Sequence, residues 1–415
     1  MKVLVVAYDC VPNAGSEPGL GWQWTQIAAS KHTVWALTKA SNRRAIEAHP
    51  ASANVNWVYI DVPEDSGPFH TGTSWGDAVH MMRWLRKGYD EAKKIHDLNL
   101  LDVVHHVSFG AFWLPSPLVR LGPPYIFGPV TGGEVIPTAF RYMLDNKSRA
   151  SNAAREALQW SAMRSTNWQR MAKARRAVRV AGTEQTRARM IEAGASFVHL
   201  YRPSFSLNDE QIESLEALDG PDLDSPITFV SSGRLIGWKG HILAIEAFAK
   251  ALKRLPDAHF HLIGDGSERH AIEERIAQLG MGNSVTLHGS LHRDDERALI
   301  ARSHVFVFPS LRDSGATLFV FAMAMGLPII GFDTGAAKQM IGSESGILVK
   351  PGPRDVASDR MSEAMVDLAR DAEGRAAMSR AGRKRVREVF HLDEAASALD
   401  EWYTRATTDT FRPHG

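Results

Sequence analysis

The chain has a single cysteine, Cys10, among 415 residues. That excludes an internal disulfide framework and fits a reducing compartment. No apolar run approaches the roughly 18 residues that a membrane-spanning helix needs, so no transmembrane segment is expected. The apolar part of the opening Met1-Lys2-Val3-Leu4-Val5-Val6-Ala7-Tyr8-Asp9 is too short for a secretory leader and reads as a buried first strand. An excess of one charge is also lacking: 48 Lys and Arg stand against 47 Asp and Glu. This removes the whole-chain argument for a nucleic-acid partner or a membrane surface. No Asp-X-Asp falls at a strand end, since Asp222-Leu223-Asp224 sits in an acidic linker-like stretch. No metal site and no resident cofactor are therefore expected. A fixed-period repeat is absent too, which sets solenoids aside. The expected location is cytoplasmic, with peripheral contact at the inner face of the membrane left open.

The chain is 44% apolar, and its length is more than one core usually takes, so two domains are expected. Val3–Ala7, His32–Leu37, Val55–Ile60, Val103–His105 and Tyr125–Phe127 read as strands, with helix-length segments such as Gly21–Ser30 and Gly76–Leu98 between some of them. After about residue 205 the pattern restarts. Strands are predicted over Ile227–Ser231, His259–Ile263, Val285–His288, Val305–Phe308, Pro328–Gly331 and Gly346–Val349, and helices over His241–Arg254, Glu268–Leu279 and Leu318–Met325. Buried runs alternating with helices give open α/β sheets with parallel strands. The predicted domains are 1–204, with a helical return at 386–415, and 205–385, with Leu207–Pro226 as a linker.

The strongest local signal is Ser231-Ser232-Gly233-Arg234-Leu235-Ile236-Gly237-Trp238-Lys239-Gly240, between a strand and a helix. Gly233 lets the backbone approach an anion. Arg234 offers a fork of donors and Lys239 a mobile point charge, which together suit a diphosphate. Ile263-Gly264-Asp265-Gly266 makes a second small-residue turn, and Leu291 follows the next strand. A third loop, Pro309-Ser310-Leu311-Arg312-Asp313-Ser314-Gly315-Ala316-Thr317, runs into a helix whose first N–H groups form an anion site. Asp313 is placed to accept hydrogen bonds from sugar hydroxyls.

In order and spacing these motifs, with Ala322-Met323-Ala324-Met325-Gly326-Leu327-Pro328, Gly335 and Gly346-Ile347-Leu348-Val349, resemble the family-4 retaining glycosyltransferases over about residues 227–352. The resemblance implies the GT-B fold: α/β, two facing Rossmann-like doubly wound parallel-sheet domains, with a C-terminal helix returning to the first. It implies that Arg234 and Lys239 bind the donor diphosphate. The position of Asp313 is usually a glutamate that binds the transferred sugar. A second glutamate, eight residues later, usually grips the ribose hydroxyls; here it is Phe321. Phenylalanine accepts no hydrogen bond, so the readings are a deoxyribose-bearing donor, a non-nucleotide sugar phosphate or lipid-linked sugar, a ribose held from elsewhere, or a tolerated substitution with reduced affinity.

Weaker signals occupy the first half. Gly15, in Pro12-Asn13-Ala14-Gly15-Ser16-Glu17, matches a family loop near the donor phosphates; Ser16 and Glu17 are acceptor-side candidates. His105 and His106 end a strand and alternate to opposite sides, with His106 the catalytic candidate and His105 acceptor-side. Gly128-Pro129-Val130-Thr131-Gly132-Gly133-Glu134 resembles a stretch in a subset of these transferases, which makes Gly132, Gly133 and Glu134 acceptor-side candidates too. Nine of eleven tryptophans precede residue 205; most read as packing residues, with sugar stacking as the alternative. Between Arg141 and Arg189 lie twelve basic and three acidic residues, either a solvated face or a docking face for an anionic acceptor or lipid headgroups.

The reading that follows is a metal-independent glycosyltransferase. It moves a sugar from a nucleotide- or phosphate-activated donor to a glycan, lipid-linked or small-molecule acceptor. The alternatives are a GT-B sugar-nucleotide epimerase or sugar phosphorylase, or a silent sugar-nucleotide-binding subunit.

Overall fold

Strands such as Val305–Phe308 are buried on every residue, so both faces need covering, and a parallel sheet between helices provides that. The computed structural model describes residues 1–63, 74–107, 111–114, 116–141, 144, 146–201, 205–315 and 317–408. Its first sheet comprises β1 (Lys2–Val6), β2 (Thr33–Lys39), β3 (Asn56–Ile60), β4 (Val103–His106), β5 (Tyr125–Val130), β6 (Ala177–Ala181) and β7 (His199–Leu200), in the order β3-β2-β1-β4-β5-β6-β7. The second comprises β8 (Thr228–Ser232), β9 (His259–Ile263), β10 (Val285–Gly289), β11 (Val305–Phe308), β12 (Ile329–Phe332) and β13 (Gly346–Val349), in the order β10-β9-β8-β11-β12-β13. Within both sheets the pairings are parallel among the described residues. Each sheet reverses its order of growth once, between β1 and β4 and between β8 and β11. In open α/β sheets ligands bind outside the carboxyl ends of the strands at such a reversal.

The chain divides into two compact units: residues 1–133, 153–205 and 393–415, and residues 134–152 and 206–392. This differs from the expected boundaries in two places. Segment 134–152 groups with the second unit because Ile136, Phe140 and Leu144 are buried in its core; Phe140 meets Phe332 edge-on, with ring centroids 4.8 Å apart. The C-terminal return begins at Asp393, not at 386. The helix Ala372–Val389 stays with the second unit, where Arg385 donates to the Met340 and Gln339 carbonyls, each at 2.7 Å. Helix Leu392–Thr407 then carries Trp402 and Tyr403 into the first unit, against Trp24 and His105.

The expected linker holds a helix, Asp209–Glu216, started by a capping box between Asn208 and Gln211 and seated by buried Ile212 and Leu215. Strands β6 and β7 lie where none was expected. β6 hides inside the basic run because its arginine is interior: Arg179 is fully buried and donates to the carbonyls of Met171 and Ala174. Burial without a carboxylate lowers its pKa to about 10. Arg179 therefore belongs to the core and not to any solvated or docking face. Most described tryptophans of the first unit also pack: Trp84 and Trp168 are buried, and Trp22 stacks on Trp57 at 5.7 Å. Cys10 is buried as well, and desolvation raises its thiol pKa far above the ordinary value. Among the described residues no helix is long and apolar enough to cross a membrane.

Candidate functional site

At the β8/β11 reversal two loops are stitched together. The loop after β8 ends in a short 3-10 turn, Gly237–Lys239, and the helix His241–Leu252 follows. The Leu311 N–H of the loop after β11 donates to the Trp238 carbonyl at 2.9 Å. Gly240 joins the turn to the helix at φ +71, and a Cβ there would lie 2.3 Å from the Pro309 carbonyl oxygen, so no other residue fits without parting the loops. This stitching brings Lys239 Nζ to 3.0 Å from Asp313 Oδ2, with the two side chains only 16% and 7% exposed. The other Asp313 oxygen accepts from the Gly315 N–H at 2.9 Å. That N–H is engaged by Asp313 itself. Ser314 is exposed, Thr317 opens the helix Thr317–Ala324, and Ala316 lies outside the described residues.

Trp238 was not singled out from the sequence, yet its ring gathers cations: Lys239 Nζ at 4.7 Å, Arg312 at 5.1 Å and Arg234 at 6.0 Å from the centroid. Its place between Gly237 and Lys239 was the available signal. Arg234 is exposed and has no ion-pair partner among the described residues. One cation of the pair is thus held by Asp313 while the other stands open to solvent.

His241 is a second residue the sequence reading passed over. It is buried at the start of its helix, with Nδ1 3.4 Å from Ser231 Oγ and Nε2 without a hydrogen bond among the described residues. Desolvation, helped by the Lys239 charge, lowers its pKa to about 3.

The loop after β9 closes on the same loop. Gly264 sits at φ +128 with its Cβ position 1.9 Å from the Gly233 carbonyl oxygen, and the Leu235 N–H donates to the Asp265 carbonyl at 2.9 Å. Leu291 is half-buried beyond β10. Helix Arg293–Ala301 then reaches the crevice: the Ser232 hydroxyl donates to Glu296, and the Arg297 guanidinium lies 4.8 Å from the Phe321 ring centroid. Phe321 is half-buried one turn into the helix Thr317–Ala324.

The first-unit candidates are not all gathered in one place. Gly15 is exposed and precedes helix Ser16–Ala29, and a Cβ added there meets nothing within 4 Å, so sterics inside the unit do not demand glycine. Ser16 is exposed at φ +55, a left-handed conformation that a non-glycine residue adopts at a cost. Glu17 is half-buried in the first turn of that helix. His106 is buried at the end of β4 with Nδ1 3.1 Å from the Tyr125 hydroxyl. His105 is a correction: Nε2 meets the Gly128 carbonyl at 2.7 Å and Nδ1 the Tyr403 hydroxyl at 3.0 Å. It is fully buried with both ring nitrogens engaged, so it does not serve an acceptor. Gly132 and Gly133 are likewise occupied within the unit. The Gly132 carbonyl accepts from Arg155 and Gln159, and the Gly133 N–H donates to Thr186 Oγ1 at 3.0 Å. Glu134 is buried in the segment that groups with the second unit.

His105 and His241 predict an acid response in both units. Burial lowers each pKa to about 3 from an unfolded value near 6.5, so the unfolded chain binds more protons between those pH values. Their stabilisation is complete above about pH 6.5 and is lost as the pH falls towards 3. Thermal unfolding recorded from pH 7 to pH 4 is expected to show midpoints falling in both units. His105→Leu is expected to flatten the slope of the first unit alone, and an unchanged slope would refute the assignment.

Two doubly wound parallel sheets, with a cation–carboxylate cluster at the reversal point of the second, define the GT-B fold class. Residues 220–385 match the family model for glycosyl transferases group 1. Over 141 residues, 34% of its own length and 31% of that protein, the chain is 27% identical to a phosphatidylinositol N-acetylglucosaminyltransferase gpi3 subunit of Schizosaccharomyces pombe. It is 28% identical over 183 residues to a GDP-mannose-dependent alpha-(1-6)-phosphatidylinositol monomannoside mannosyltransferase of Mycobacterium tuberculosis, covering 42% and 46%. It thus spans less than half the length of these curated relatives. Over the whole fold it superposes on sucrose-phosphate synthase from Thermosynechococcus elongatus with a TM-score of 0.66 at 16% identity, covering 97% of this chain and 98% of that one.

Proposed function

We propose that the protein is a retaining glycosyltransferase, working without a metal, that transfers a sugar from a nucleoside diphosphate donor. The observation that carries this reading is the Lys239–Asp313 pair at 3.0 Å, set at a strand-order reversal with Arg234 open beside it. A cation and a carboxylate held together in a poorly solvated crevice suit a ligand with a negative diphosphate next to a hydroxyl-rich sugar. Lys239 and Arg234 take the diphosphate, and Asp313 accepts from sugar hydroxyls. On the retaining course the acceptor oxygen bonds to the anomeric carbon on the face that the phosphate leaves. The bond from that carbon to the phosphate oxygen breaks, and the acceptor proton passes to the departing phosphate. Two cations balance the charge that develops on it, the task a metal performs in other designs.

A lipid-linked acceptor is the favoured class. Both curated relatives described above carry names of enzymes acting on phosphatidylinositol compounds. The first unit also presents Trp160, 58% exposed, under the Arg164 guanidinium, with Arg170, Lys173, Arg175 and Arg176 exposed nearby in sequence. No acidic residue lies between Glu156 and Glu184. Cations with an interfacial tryptophan favour peripheral contact with an anionic membrane.

Calorimetry without metal, using UDP, GDP, ADP, dTDP and the deoxyribose counterparts, tests the donor side. Saturable binding of at least one nucleoside diphosphate is expected. Binding of none would sink the proposal and point to a lipid-linked or simple phosphate donor.

A further inference from the structure

Half-buried Arg275 holds Glu246 at 2.8 Å, Arg385 caps two carbonyls, and Arg383, whose Nε is unpartnered, still donates to the Met325 carbonyl. Arg297 differs from these. Its guanidinium lies over the Phe321 ring, its Nε is buried without a hydrogen-bond partner, and it makes no ion pair among the described residues. Burial lowers its pKa and the neighbouring Arg293 acts in the same direction, while the Asp294 and Glu296 carboxylates offset this only in part. A partly desolvated cation with no partner is costly, and such a group at a ligand crevice calls for an anion from outside.

Its position says which anion. Glu296, one residue earlier, is hydrogen-bonded to Ser232, and Ser232 directly precedes Gly233-Arg234. Phe321, which the guanidinium covers, is four residues into the helix that opens at Thr317, whose N-terminus follows Asp313. Arg297 therefore sits on the helix that Glu296 ties to the end of β8, with its guanidinium 4.8 Å from the ring centroid of a residue in the helix that opens at Thr317. The Phe321 ring gives the cation a platform. A carboxylate at position 321 would pair with this arginine and cancel its charge; phenylalanine orients it and leaves the charge uncancelled.

We propose that Arg297, oriented by Phe321, is a third cation of the donor site and binds a phosphoryl oxygen of the leaving diphosphate. The inference rests on the donor-binding reading given above. It makes the phosphate portion of the donor, more than its ribose, the part recognised on this side of the crevice.

Calorimetry with UDP, inorganic pyrophosphate and uridine tests it on the full chain. Arg297→Gln is expected to weaken UDP and pyrophosphate by roughly tenfold or more, the size of one charged hydrogen bond, and to leave any uridine binding unchanged. Arg302→Gln removes the same charge from the end of the same helix, at a residue paired with Asp219, and is expected to change neither. Phe321→Leu keeps the cation but removes its platform and is expected to fall between. Unchanged UDP and pyrophosphate affinities in Arg297→Gln would overturn the proposal while leaving the donor reading intact. Weakening of UDP without pyrophosphate would move the contact to the nucleoside and overturn the phosphoryl assignment. If the wild-type protein binds neither UDP nor pyrophosphate, the same series is run with the nucleoside diphosphate that it does bind; binding of none makes this proposal and the donor reading fall together.

Discussion

Lys239→Ala is expected to lower the rate of sugar transfer by about 10²–10³, the cost of removing one fixed charge-stabilising group from a poorly solvated site. Two losses combine. The leaving diphosphate loses a cation, and Asp313, only 7% exposed, loses its ion-pair partner and keeps the Gly315 N–H. Left with that one hydrogen bond, the Asp313 carboxylate is held less firmly in place for the sugar hydroxyls. Arg234→Ala removes the solvent-facing cation and is expected to weaken diphosphate binding more than it disturbs the fold, because Arg234 is exposed. The double substitution separates the cases. Circular dichroism is expected to show a native fold with binding of UDP and transfer both lost. Normal transfer in a folded double variant would mean that this pair is not the diphosphate clamp.

Gly264→Ala is expected to cost the second unit about 3 kcal/mol or more, from backbone strain together with overpacking. The added Cβ would lie 1.9 Å from the Gly233 carbonyl oxygen, less than any real contact, and that atom is backbone. The residue also sits at φ +128, which side chains disfavour. Relief requires the loops after β8 and β9 to separate. That motion breaks the 2.9 Å bond between the Leu235 N–H and the Asp265 carbonyl and displaces Arg234 with its loop. Gly280→Ala is the matched control: φ is +69 there, but an added Cβ meets nothing within 4 Å, so only the strain remains. Scanning calorimetry is expected to show a large fall in the second unit's transition for Gly264→Ala and a small one for Gly280→Ala. Equal shifts would mean that the clash is absorbed and that the glycine is not what fastens the two loops.

The loops that hold Lys239 and Asp313 were legible because their information is local. Small residues follow an apolar strand-length run and precede a helix-length one, and that order places a turn at the carboxyl end of a strand whatever lies elsewhere. Strand β6 was not legible for the opposite reason. Arg179 looks like a surface charge until the Met171 and Ala174 carbonyls are seen to converge on it. His105 and His106 show the limit within one strand. Alternation sends them to opposite sides, but only the packing of Tyr403, 298 residues away, reveals that His105 is bound up in the core.

By itself the sequence determined the alternating α/β order, the two sheets, and the cations and carboxylate at the end of β8 and β11, since strand burial, helical period and turn residues are properties of short windows. The tertiary structure alone decided that 134–152 joins the second unit, that Lys239 meets Asp313 across 74 residues, and that Arg297 lies on Phe321. These are pairings between distant segments. Their energy comes from desolvation and packing that exist only once the sheets have formed, and no window of sequence contains both partners.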